Sequence, residues 1–285
     1  MTDRDNDKRS GAAVDAPLGA FSHSDEGKPV LQFSAPTEIV ELPSQGKFYP
    51  EGHPLYGLTS VEIRHMTAKE EDILTNVSLI KKGTAIDRML QNILVSPKVE
   101  VSEFLAGDKN ALTVAARITG FGPNYATKVR CPSCGETKDF EFDLNDHKTI
   151  DGTNLPDGVE STETGTFMFS KLPGFTGSVE IRLMTGQDEK SLAQAAEQKK
   201  KHSLPPTMIT DQLKIVIVSV AGSNKPVDIG YFVDNMPLLT TKKLRSLYKE
   251  ITPNIDLTQE YSCSNCDYEE SMEVPFSTEF FWPKQ

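Results

Sequence analysis

Apolar residues along the chain recur with two different periods, and the switches between them lay out the elements. Glu38-Ile39-Val40-Glu41-Leu42 predicts a short strand, with the turn-rich Pro43-Ser44-Gln45-Gly46-Lys47-Phe48-Tyr49-Pro50 after it. Ser60-Val61-Glu62-Ile63-Arg64 alternates apolar and charged positions as a half-buried strand does. Thr67 predicts a helix start with Glu70 as its capping-box partner, and Gly83 predicts its end. Ile86, Met89, Leu90, Ile93 and Leu94 keep helical spacing and read as a core-facing stripe. A further amphipathic helix is expected over 108–118, stopped by Gly120-Phe121-Gly122-Pro123. Asp139 to Leu144 reads as a strand with one apolar face, and the polar stretch 145–164 as a linker.

The pattern then returns. Val61-Glu62-Ile63-Arg64-His65-Met66-Thr67 reappears as Val179-Glu180-Ile181-Arg182-Leu183-Met184-Thr185, each followed by an acidic helix start, Glu70 and Glu71 or Asp188 and Glu189. Leu42-Pro43 has a counterpart in Leu172-Pro173. Ile209, Leu213, Val216, Ile217 and Val220 form a second helical stripe, a helix is expected over 240–250, and Met272, Val274 and Phe276 predict a closing strand. The expected fold is α+β: two pseudo-symmetric repeats of strand, helices and zinc-knuckle hairpin. The expected organisation is a disordered tail over 1–36, a first half over 37–144, a linker over 145–164 and a second half over 165–285.

Four cysteines change the picture from pattern to chemistry. They fall as Cys131-Pro132-Ser133-Cys134 and Cys263-Ser264-Asn265-Cys266, one pair in an equivalent place in each repeat. A C-x-x-C turn aims two sulfurs at one ion, roughly 2.3 Å away, and zinc completes its tetrahedron from a second pair. One structural zinc held by Cys131, Cys134, Cys263 and Cys266 is therefore expected, shared between the halves. A redox dithiol, disulfides or unligated thiols are the competing readings. Met1 to Ser10 is charged and has no apolar run, so no secretory signal is expected and metal is favoured over disulfide.

The rest of the composition narrows the function classes. A hydrophobic fraction of 37% in 285 residues suits a globular middle with unstructured flanks. No run reaches the ~18 apolar residues of a membrane span. A net charge of −11 argues against a nucleic-acid partner. From Asp256 onward, Lys284 alone stands against seven acids. Lys199-Lys200-Lys201 lies where a helix C-terminus favours positive charge. His23, His53, His65, His147 and His202 lack catalytic metal spacing, and only His147 lies near a cysteine pair, where it could replace a ligand. No phosphate loop, nucleophile elbow or set carboxylate pair is present, so no enzyme activity is expected. The terminal Phe280-Phe281-Trp282-Pro283 reads either as self-packing core or as an aromatic anchor for a partner.

The Glu41-Leu42-Pro43-Ser44-Gln45-Gly46-Lys47-Phe48-Tyr49-Pro50 opening is the most specific of several pieces that point one way. With Val61 to Arg64, Met66 to Leu74, the two C-x-x-C pairs and Phe280 to Pro283, it resembles the baseplate hub protein family of T-even-type contractile-tailed phages. The resemblance runs from about residue 38 to the end. It implies a non-enzymatic hub subunit or hub-assembly factor that binds other baseplate or tail proteins in the infected cell. No membrane and no small-molecule substrate is expected as a partner. A zinc-ribbon nucleic-acid-binding or transcription-related protein is the alternative, and a thiol-redox enzyme a third.

Overall fold

A computed structural model of the chain describes residues 20–23, 29–32, 34–96, 98–275, 280 and 281. The chain divides into two units, Met1–Pro36 and Thr37–Gln285. In the first, β1 (Ala20–His23) and β2 (Pro29–Gln32) pair antiparallel, with Phe21 opposite Leu31. This hairpin falls in the stretch for which the sequence predicts a disordered tail.

The second unit opens with β3 (Thr37–Glu41), β4 (Ser60–Arg64), α1 (Ala68–Leu74), α2 (Val77–Lys81), α3 (Ala85–Ile93) and β5 (Leu94–Ser96). A 3-10 turn (Val101–Glu103), α4 (Ala106–Phe121), β6 (Asn124–Arg130) and β7 (Thr137–Asp143) follow. Next come β8 (Lys148–Ile150), β9 (Val159–Ser161), β10 (Phe167–Phe169), β11 (Val179–Ile181), α5 (Gly186–Lys201), α6 (Met208–Val216) and β12 (Ile217–Val220). The chain closes with α7 (Pro226–Asn235), α8 (Leu238–Ile251), β13 (Asn254–Asp256), β14 (Thr258–Ser262) and β15 (Glu269–Glu273). The fold is α+β, with its strands in several small antiparallel sheets.

Two of these sheets are built alike. One has the order β3-β4-β5 and the other β12-β11-β10-β9. In each, the central strand runs into a helix through an arginine clamp. Arg64 grips both oxygens of Glu70 at 2.9 and 2.6 Å, and Glu70 also accepts from the N–H of Thr67 at 2.8 Å. Arg182 grips Asp188 at 2.6 and 2.8 Å, and Asp188 accepts from the N–H of Thr185 at 2.9 Å. The carboxylate thus caps α1 or α5 and is neutralised by the strand before it, a bidentate arrangement that fixes orientation. After its helices each chain segment returns to the same strand: Leu94 pairs with Ile63 and Ile217 with Ile181, with a register shift beside each.

That return corrects the helical stripe expected to end at Val220. Leu213 and Val216 are buried on α6, but Ile217 and Val220 lie in β12, where their β-branched side chains suit a pleated surface. The helix expected from Thr67 to Gly83 is likewise two. Asn76 accepts from the N–H groups of Ser78 and Leu79 and starts α2, and Gly83, at φ +66°, ends it. The stretch 145–164 is not a bare linker: β8 pairs with β13, and β9 is the edge of the second sheet. Helix α4 is longer than expected because Gly120 stays helical against the Met66 side chain, and the turn comes at Gly122, φ +82°.

One continuous core runs through the second unit, from Met89 and Phe104 to Phe167, Phe169 and Leu244. Helix α4 ties its parts together. A Cβ on Gly107 would sit 1.8 Å from the Pro253 carbonyl, so only glycine allows that backbone approach. Lys109 bridges Asp87 at 2.8 Å and Glu189 at 3.1 Å. Its neighbour Asp108 is fully buried and accepts from the N–H of Ser44 (2.9 Å), the Ser44 hydroxyl (2.6 Å) and the Tyr49 hydroxyl (2.7 Å). The 43–50 loop is therefore latched to the start of α4.

The arginine clamps carry a pH dependence. Burial works against the Glu70 charge, but the Arg64 and Thr67 hydrogen bonds outweigh it and hold the carboxyl at about 2 instead of 4.5. A lowered folded value means that the stabilisation is present above about pH 4.5 and is lost as the pH falls toward 2. Glu70→Gln is expected to cost about 2 kcal/mol at neutral pH in urea unfolding, with the gap to wild type narrowing at pH 3. A gap of the same size at both values would refute this linkage.

Candidate metal centre

The two C-x-x-C pairs sit in the turns of two β-hairpins, β6–β7 and β14–β15. The turns share one hydrogen-bond pattern. Cys131 donates its N–H to the Glu136 carbonyl, and Gly135 donates back to the Cys131 carbonyl. Cys263 donates to Tyr268, and Asp267 donates back to Cys263. The fifth residue of each turn has positive φ, +74° at Gly135 and +52° at Asp267. Glycine meets that requirement without strain, and aspartate is among the few other residues that accept it.

The hairpins lie against each other along their length. At the base, Gln259 donates to the Asp143 carbonyl at 2.6 Å and accepts from the Asp143 N–H at 3.2 Å. Midway, the Phe140 and Tyr261 rings meet edge-on, 5.3 Å between centroids. At the tips, Lys138 donates to the Ser264 hydroxyl at 2.8 Å, and the Asn265 amide reaches the Cys134 sulfur at 3.6 Å.

These contacts bring all four expected ligands together. The Cys131 and Cys266 sulfurs are 3.7 Å apart, those of Cys134 and Cys263 are 3.9 Å apart, and all four lie within 4.8 Å of one another. A tetrahedral ion with Zn–S bonds of about 2.3 Å needs sulfur–sulfur edges of about 3.8 Å. The observed spacing fits that cage, and the four thiols are free. Cys131 and Cys263 are buried while Cys134 is exposed, so an ion would sit at the rim of the protein.

The turns favour charge on two of the sulfurs, those of Cys263 and Cys134. Backbone N–H groups of Asn265 and Cys266 hold Cys263 down at about 6. The Glu136 N–H and the Asn265 amide lower Cys134. Burial pushes Cys266 up to about 12. Four sulfurs this close cannot all ionise without a cation among them, whereas a divalent ion would favour four thiolates. His147, the one histidine near the first pair, instead bonds the Leu144 carbonyl through Nδ1 at 3.0 Å and is not in the cluster.

The aromatic end of the chain lies partly outside the described residues: Phe276, Trp282 and Pro283 are not among them. Phe280 and Phe281 are buried. Phe280 packs against Tyr125, 5.2 Å between centroids, and its carbonyl accepts from buried Arg117 at 2.7 Å. Arg117 also donates to the Gly122 and Asn124 carbonyls at 2.8 and 3.3 Å. Nothing local in the sequence marked Arg117 or Asp108, whose partners lie up to 163 residues away.

No helix among the described residues is long and apolar enough to cross a membrane. Neither a curated protein nor a solved structure matches the chain. The family model described as T4 bacteriophage base plate protein matches residues 35–282, a span that takes in the latch loop, both arginine clamps and both cysteine hairpins. The chain therefore belongs to the T4 bacteriophage base plate protein family.

Proposed function

We propose that this baseplate protein is a non-enzymatic subunit or assembly factor of the baseplate hub, and that one structural zinc, held by Cys131, Cys134, Cys263 and Cys266, clamps two duplicated halves. The observation that carries the metal reading is the sulfur spacing: two edges lie within about 0.1 Å of those of a zinc–thiolate tetrahedron, and all four sulfurs lie within 4.8 Å of one another. Thiolates select a soft or borderline ion, and a closed four-sulfur site leaves no position for a substrate. Support for duplication comes from the matching clamps, the matching strand returns and the matching cysteine turns. Two hairpins that each supply two ligands would share the ion across a pseudo-twofold relation.

The work of such a protein is to present surfaces to other tail proteins. Acidic side chains along β14–β15, among them Glu260, Glu269 and Glu270, favour a protein partner over nucleic acid. Co-expression with the other baseplate proteins of the same phage is expected to give a stable complex by size-exclusion chromatography. A phage lacking this chain is expected to accumulate unassembled baseplates. Mass spectrometry of purified virions separates the two roles: presence identifies a hub subunit, absence an assembly factor of the infected cell. Normal baseplates without the chain would contradict the proposal.

A further inference from the structure

The two sheets that are built alike differ at one edge. In the second, β9 flanks β10, the strand that precedes the central β11; in the first, β3 holds the place of β10 beside the central β4, and no described strand lies on its other side. The Leu42 N–H donates to the Thr59 carbonyl. By antiparallel alternation Val40 and Glu38 continue that ladder, while Thr37, Ile39 and Glu41 turn their N–H and C=O groups to the open edge. Among the described residues no acceptor meets the Ile39 or Glu41 N–H. Unpaired backbone of this kind is a template for another strand. The edge opens onto two clefts, of about 250 and 410 Å³, and Ile39, Glu41 and Thr149 of β8 line both. Ala111, Ala115 and Ile118 of α4 line the smaller one, an apolar surface low enough to admit the side chains of an added strand. Among the described strands β8 pairs with β13 alone, so the clefts separate two strands that each have a free edge.

Backbone and charge together select the occupant. The ionisable groups lining the two clefts are Glu38, Glu41, Asp151 and His147. Lys47 is near enough to favour the Asp151 charge, and His65 Nε2 stands 4.0 Å from Glu38. With the histidines neutral, three carboxylates against one lysine leave two negative charges. A second copy joined edge to edge would double that charge along one seam. We propose that the outer edge of β3 takes an extended segment of another protein as a further antiparallel strand, its apolar residues toward α4 alternating with Lys or Arg that meet Glu41 and Asp151. That strand would stand beside β3 as β9 stands beside β10. The inference rests on the assembly reading above for its partner and is independent of the cysteine site.

The test uses the full chain and a fluorescein-labelled octapeptide in which valine and lysine alternate. Wild type is expected to bind it, and the Ile39 and Glu41 amides to exchange about tenfold more slowly once it is bound. Ile39→Pro removes the central donor of the edge. That N–H points away from β4, so the variant is expected to melt like wild type while its binding falls about tenfold or more. Glu41→Lys, on an exposed side chain, is expected to weaken binding by a similar factor. Glu163→Lys makes the same charge change in the exposed turn between β9 and β10 and is expected to leave binding unchanged. A peptide with Glu in place of Lys is expected to bind about tenfold more weakly. Equal binding by wild type, Ile39→Pro and Glu41→Lys, or equal binding of the Glu peptide, overturns the proposal. So does unchanged exchange of the two amides with peptide bound. A wild-type dimer in sedimentation that Glu41→Lys or Ile39→Pro dissociates overturns it too, since the edge would then hold a second copy. Absence of peptide binding with the baseplate complex intact would remove this edge alone and leave the assembly reading standing.

Discussion

Cys263→Ser is expected to cost on the order of 3–5 kcal/mol and to lower the melting temperature sharply, because losing one thiolate opens the cage that joins the two hairpins. Three features distinguish this from ordinary core damage. Cys134 is exposed, so a serine there would be nearly silent if the thiol were only a surface group, yet Cys134→Ser is expected to match Cys263→Ser. If all four thiolates hold one shared ion, the double variant is expected to be little worse than either single one. Chelator should bring wild type down to the variants' melting temperature and leave the variants unchanged. Ser264→Ala, which removes a hydrogen bond from Lys138 at the same tip, should stay within about 0.5 kcal/mol of wild type. A small, additive effect of the cysteine substitutions measured by thermal melting would count against a shared site.

Asp108→Ala should be as damaging for a different reason. The carboxylate is fully buried and accepts three hydrogen bonds from the 43–50 loop. Both hydroxyls are held in place through their oxygens as well: that of Ser44 accepts from the Gly46 N–H at 3.1 Å, and that of Tyr49 from the Leu105 N–H at 2.9 Å. Removing Asp108 leaves three buried donors without an acceptor, an expected loss of about 3–5 kcal/mol. Tyr49→Phe removes one hydroxyl and is expected to cost about 1–2 kcal/mol. Burial raises the Asp108 pKa despite its three donors, and it drives the Tyr49 hydroxyl far above its ordinary value. For the carboxylate, a raised folded value means this group's own contribution is largest at low pH and declines as pH rises through the folded value, opposite in sign to Glu70. Urea midpoints of the two variants against wild type check the ordering.

The latch explains why the Leu-Pro-Ser-x-Gly-x-Phe-Tyr-Pro stretch looks so specific. Ser44 and Tyr49 face Asp108, and Gly46, at φ +69°, could not carry a side chain because its Cβ would lie 2.4 Å from the Leu58 nitrogen. The motif was visible in the sequence; its partner was not, since no local pattern links residues 64 positions apart. Local chemistry, by contrast, was legible. The capping box at Thr67, the acidic helix start after Thr185, the alternating strand at Ser60–Arg64 and the two C-x-x-C turns all follow from short-range spacing.

Errors arose where two structures share one apolar spacing. Leu213, Val216, Ile217 and Val220 satisfy a helical period, but the chain straightens at Ile217 to pair with Ile181. Polar content made 145–164 look like a linker, although β8 and β9 are fixed by pairing with strands the local sequence does not show. Helix α7 went unread because its exposed face carries Val227 and Tyr231, which blur the contrast with buried Ile229 and Val233.

The most direct test of the central claim is the zinc content of the full chain, purified under reducing conditions without added metal. The account predicts one zinc per chain, released together with reactivity of all four thiols. Protein free of metal, with four thiols that react at once and an unchanged fold, would contradict it.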